Sequence, residues 1–153
     1  MTSEPEAEQV LEDSMGPEGI GGWLILPAIG LVLGSIIGVL ALLYSLTLFS
    51  DVKAAGYGGI YALELFVLAG IVALTIYVAI PFFRKRRDAP SKMILLLAVG
   101  VGGSLFLLVV ELGASAEVFA EETAKQLLRD IVSAVIWIPY FRISKRVRAT
   151  FVN

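Results

Sequence analysis

The stretch GIGGWLILPAIGLVLGSIIGVLALLYSLTLFS, residues 19–50, carries no charged side chain between Glu18 and Asp51. A helix rises about 1.5 Å per residue, so roughly 20 apolar residues cross a hydrocarbon core of ~30 Å. These 32 residues suffice with length to spare, and the first span is expected within residues 23–49. The rest of the chain shares the bias. Of its 153 residues 58% are hydrophobic and 17% charged, and the mean hydropathy is +0.85. That balance demands lipid as the solvent.

Working outward, uncharged runs at 65–83 and 93–110 give a second and a third span. The fourth is weaker. Residues 131–141 alone would read as an interfacial or buried helix, and extending the segment to 124–141 takes in Lys125, Arg129 and Asp130. The segment is still read as a span because Trp137, Tyr140 and Phe141 are followed by Arg142, Lys145, Arg146 and Arg148. Amphipathic rings and then bases are how a helix leaves the membrane on the cytoplasmic side.

The bases also set the orientation. The connector RKRRDAPSK at 84–92 holds five and the C-terminal segment four, so nine of the 12 Lys and Arg lie on one side. The positive-inside rule puts that side in the cytoplasm. The expected fold is therefore an all-α, integral membrane four-helix bundle over residues 22–141. An acidic disordered cytoplasmic tail (1–21) precedes it and a basic cytoplasmic tail (142–153) follows. The first tail holds Glu4, Glu6, Glu8, Glu12, Asp13 and Glu18 without one base. An acidic stretch before so long an apolar run is not a secretory signal, so this segment is expected to stay attached. Between the first two spans, 51–64 reads as a short glycine-bearing loop. Between the last two, EVFAEETAKQLLRD (117–130) reads as a helix entering the fourth span, with Glu121 and Lys125 paired at i,i+4.

The chain has no Cys and no His. Disulfides, thiolate or histidine metal sites, His-ligated haem and His-based acid–base catalysis are thereby excluded. No cofactor is expected. Ser and Tyr are scattered with no base at a motif spacing, so no catalytic constellation emerges. The basic clusters suit topology and lipid headgroups, not nucleic acid.

Three groups of residues stand out. Gly30, Gly34 and Gly38 form a G-x-x-x-G-x-x-x-G ladder on the first span, and Gly100, Gly102 and Gly103 clear the middle of the third. Such ladders let helix backbones approach closely. They serve either packing within the bundle or an interface for a homo-oligomer or a membrane-protein partner through span one. The second group is charged. Glu64 and Glu111 count out to the distal membrane boundary, where solvation is expected, while Arg129 and Asp130 lie roughly ten Å deeper. Arg129 is expected to pair with Glu111, Glu64 or Asp130, and the alternative is a proton or ion step at Asp130. The third group is interfacial: Trp23, Trp137, Tyr140, Arg142, Lys145 and Arg146. Residues 144–151 follow as a basic stretch with Val147 and Phe151 four apart, able to lie on lipid headgroups or to dock a partner.

Two stretches carry a family resemblance. GIGGWLILPAIGLVL at 19–33 and WIPYFRISKRVRATFV at 137–152 resemble the opening and closing signatures of the bacterial membrane proteins grouped as domain of unknown function 2569. The resemblance implies four helices and a bacterial cytoplasmic (inner) membrane location, and it carries over no catalytic residues. The expected role is a non-enzymatic accessory, structural or assembly component of the membrane. The alternative is a small transporter or channel component using Asp130.

Overall fold

The computed structural model describes residues 20–152, and every regular element among them is helical. Most of the expected acidic tail, with all six of its acids, lies outside the described residues. After a 3-10 turn at Gly22–Leu24 come α1 (Ile25–Ala54), α2 (Gly58–Phe83), α3 (Ala89–Gly113), α4 (Glu117–Ile143) and a six-residue α5 (Lys145–Thr150). Three helices are long and apolar enough to cross a membrane: α1 with its leading turn, α2 and α3. Apolar side chains stand exposed along them, Phe66, Phe106, Leu40 and Ile37 among them. In water such a surface would aggregate, whereas lipid tails solvate it. The fourth long helix, α4, has 27 residues and carries acids and bases through its first half, which lowers its hydropathy below theirs.

The connections are tighter than the charge pattern suggested. The loop expected over 51–64 is three residues, 55–57, because Asp51–Ala54 continue α1 and Gly58 already begins α2. A helix does not end where its charges begin; its polar end simply emerges from the lipid. All three turns between long helices close in the same way. Gly56, Lys85 and Ser115 adopt left-handed φ of 94°, 53° and 54°. Each donates its amide three residues back, and the next residue donates five back, as in Tyr57 N to Val52 O at 3.1 Å. These are Schellman closures, which satisfy carbonyls that a helix end leaves orphaned.

Neighbouring helices pack as α1 on α2, α2 on α3 and α3 on α4, while α1 and α4 make no comparable contact. The main apolar core sits at the basic end: Leu24, Leu31, Val78, Phe82, Met93 and Phe141 meet Val147 and Phe151 there. The C-terminal segment therefore neither lies free on a surface nor offers its apolar face to a partner. Ser144 accepts from the Val147 amide to cap α5. Phe151 packs its ring 5.2 Å from that of Phe82. Arg87 Nε holds the Val152 carbonyl at 2.7 Å. Covering Val147 and Phe151 this way removes from water the apolar face that predicted headgroup binding.

Candidate functional site

Where α1 and α4 lack a comparable contact a cleft opens, and it has two chambers. The one nearer the basic end, of about 290 Å³, is lined by Gly30, Leu31, Met93, Ser133 and Trp137 among others. The other, of about 530 Å³, is lined by Ser45, Tyr61, Glu64, Ser104, Thr123 and Gln126 together with aliphatic side chains. Gly34, Ile71, Gly100 and Asp130 belong to both, so Asp130 stands at the junction.

The glycine ladder explains why the cleft stays open. A Cβ on Gly38 would come within 2.8 Å of Val72 Cγ2, so this glycine is where α1 and α2 touch. Nothing lies within 4 Å of a Cβ placed on Gly30, and Gly34 meets only Thr75 Cγ2 at 3.9 Å. On α3, a Cβ placed on Gly103 would lie 3.3 Å from Val67 Cγ1 and 3.6 Å from Ile71 Cδ1, one on Gly100 would lie 3.9 Å from Asp130 Cγ, and one on Gly102 would meet nothing within 4 Å. Gly38 and Gly103 therefore do the close packing, while Gly30, Gly34 and Gly100 give the cleft its width.

The acidic groups sit differently from the count along the sequence. Glu111 is fully buried, not solvated: its Oε1 accepts from Thr123 Oγ1 at 3.0 Å and its Oε2 has no partner among the described residues. Glu64 Oε1 is likewise buried without a hydrogen bond. Distance along a helix sets depth and not exposure: Glu111 faces α4, whereas Glu64 as a whole stays partly exposed. Asp130 is held by neutral donors, Ser104 Oγ at 2.5 Å across the α3–α4 contact and Gln126 Nε2 at 2.8 Å one turn back. The pairing expected of Arg129 does not form. Its side chain is exposed and makes no ion pair among the described residues. Residue 129 points out of the contact that Asp130 enters, since adjacent helical positions diverge by about 100°. Sequence reading missed Ser104, Thr123 and Gln126, although Gln126 four residues before Asp130 is a spacing that puts both on one helix face.

Among the described residues no Lys or Arg lines either chamber. Lys125 is spent on Glu121 and Glu122 at 2.8 and 2.9 Å on the exposed face of α4. The Glu121 carboxyl is held below its ordinary range by the hydrogen bond from Lys125. The larger chamber is thus mainly apolar, with the Glu64 and Asp130 carboxylates in its lining. Groups of that kind in a dry site cost several kcal/mol unless neutral or matched by a cation.

At the basic end the two sequence signatures meet. The Arg146 guanidinium lies against Gly21 and Gly22, where a Cβ would come within 2.8 and 2.7 Å of its nitrogens, and Gly22 has φ +55°. Trp137 and Tyr140 are half-buried and stack edge to face at 5.6 Å, while Trp23 is exposed, as are Arg142 and Lys145. The opening glycines and the closing arginine therefore form one structural joint.

The family model described as "Protein of unknown function (DUF2569)" matches residues 17–152, both signatures included. The chain belongs to this family. It is also similar to "Inner membrane protein YdgK" of Escherichia coli (strain K12), 36% identical over 146 residues that cover 90% of this chain and 96% of that protein. No solved structure matches it. With three helices able to cross a membrane, the chain is a multi-pass protein of the bacterial inner membrane, as its family resemblance implied.

Proposed function

We propose that this chain is a non-enzymatic accessory protein of the inner membrane. In this reading it is a four-span bundle with both termini in the cytoplasm, and its working site is the cleft between α1 and α4. The cleft carries the reading: Gly30 and Gly34 keep it open where ordinary packing would close it. As a fourth span, α4 is long enough, at about 40 Å for its 27 residues. Its charges also have outlets, because Asp130 is satisfied by Ser104 and Gln126 and Arg129 is free to reach an interface. Orientation rests on the nine bases gathered at the end where α5 docks. The non-enzymatic reading is supported by residue chemistry, since the hydroxyl of Ser104 has only a carboxylate, a weak base, beside it.

The test is extraction into polymer-bounded lipid discs without detergent, followed by mass analysis of everything that travels with the chain. A stoichiometric companion, lost on filling the cleft with Gly30→Leu, is the expected result. A chain that emerges alone and unchanged by Gly30→Leu would sink the accessory reading. The position of Asp130 between the chambers favours a second reading, a small transporter component. It would be tested by proton and ion flux in liposomes, with Asp130→Asn as control. Topology is tested directly, because the chain has no native cysteine. Ser115→Cys should react with an impermeant maleimide from the periplasm and Lys85→Cys only after permeabilisation.

A further inference from the structure

The larger chamber has a chemical polarity of its own. Ser104 and Gln126 turn donors onto Asp130, and Thr123 turns its hydroxyl onto Glu111. The donor nearest Glu64 in sequence, the Tyr61 hydroxyl, is committed to the Ser45 carbonyl at 3.0 Å. Among the described residues Glu64 Oε1 lines the chamber buried without a hydrogen-bond partner, Glu111 Oε2 is buried without one outside the lining, and no basic side chain lines the space. The lining thus offers one unmatched acceptor on Glu64 and a second carboxylate on Asp130 with no cation beside either among the described residues, so its complement is a group that brings donors and positive charge. The chamber, at about 530 Å³, falls in the range of small-molecule pockets. It is too wide to hold a bare metal ion at the ~2.0–2.6 Å that oxygen ligands require, and no metal-holding group of acidic side chains occurs among the described residues. Tyr61 is its one aromatic lining residue, so it lacks the aromatic cage that suits a quaternary ammonium. Past Asp130 the cleft continues into the apolar chamber lined by Leu31, Met93 and Trp137.

From this geometry we infer that the cleft binds a primary ammonium group carried on an apolar tail. The ammonium is held by Glu64 and Asp130, and the tail lies toward Trp137. This rests on reading the cleft as a binding site and names what it takes. One chemistry has two sources, a free amphiphilic amine or the headgroup amine of an aminophospholipid entering between α1 and α4.

The experiment uses the full chain in lipid discs. In discs of phosphatidylcholine alone, binding of labelled hexylammonium is measured against hexanol as neutral competitor, for the wild type, Glu64→Gln and Asp130→Asn. In discs of mixed phosphatidylethanolamine and phosphatidylcholine, native mass spectrometry reads which lipid stays on the released protein. Saturable hexylammonium binding that hexanol does not displace, weakened about tenfold or more by either substitution, is expected for a free amine. Selective retention of phosphatidylethanolamine, lost in the variants, identifies the lipid as the source. Both outcomes support the site. Hexanol competing as well as the amine, together with no lipid preference in the wild type, overturns it even if the variants fail to fold. A protein companion found in native discs alongside that negative result would leave the accessory reading standing and remove only the ammonium site.

Discussion

Replacing Gly38 by Ala while replacing Gly30 by Ala in parallel isolates the one place where the ladder packs. A Cβ at residue 38 would lie 2.8 Å from Val72 Cγ2. Carbon atoms rest about 3.5–4.0 Å apart, so roughly an ångström must be found. Val72 is buried and β-branched, with little rotamer freedom to yield, so α1 and α2 must part instead. Overpacking of that kind costs about 1–3 kcal/mol. Both substitutions also gain helix propensity, about 1 kcal/mol for Gly to Ala, which cancels when the two are compared. Nothing lies within 4 Å of the new methyl at residue 30. Gly38→Ala should therefore be less stable than Gly30→Ala by about 1–3 kcal/mol, read from unfolding in mixed micelles titrated with a denaturing detergent. Adding Val72→Ala should recover much of the loss, giving a favourable coupling in the double-mutant cycle. Equal stability of the two single variants, or no coupling with Val72, would refute this account of the α1–α2 contact.

Other expectations follow from single residues. Gly56→Ala should cost about 1–2 kcal/mol because it forces a Cβ into the left-handed region, while Ser115→Gly and Lys85→Gly should be neutral or stabilising in the same assay. Arg129→Ala should leave folding yield no lower than Glu117→Ala, since Arg129 makes no ion pair among the described residues; a markedly lower yield would restore the buried pairing. Phe151→Ala should cost about 3–5 kcal/mol as a buried aromatic. It should also release α5, so that trypsin cuts at Arg146 and Arg148 faster than in the wild type. Unchanged cleavage would mean the docking does not depend on Phe151.

The sequence by itself determined the solvent, the number of long helices and which end is basic. Those properties are additive along the chain: each uncharged run near 20 residues needs lipid, and each cluster of Lys or Arg resists leaving the cytoplasm. It also marked Asp130 and the glycine ladder as places to look, and the resemblance of 19–33 and 137–152 gave the family. What it did not hold was direction around each helix axis. Glu111 counts out to a membrane boundary yet is fully buried, and Arg129 beside Asp130 faces away from the partner Asp130 takes. Gly30 and Gly38 share one motif, but only Gly38 touches a neighbour. The apolar face of 145–151 fits lipid or partner equally well until the fold brings Phe82 beneath Phe151. Each of these turns on which helices lie side by side, a matter of packing between segments distant in sequence, so only the tertiary structure decided them.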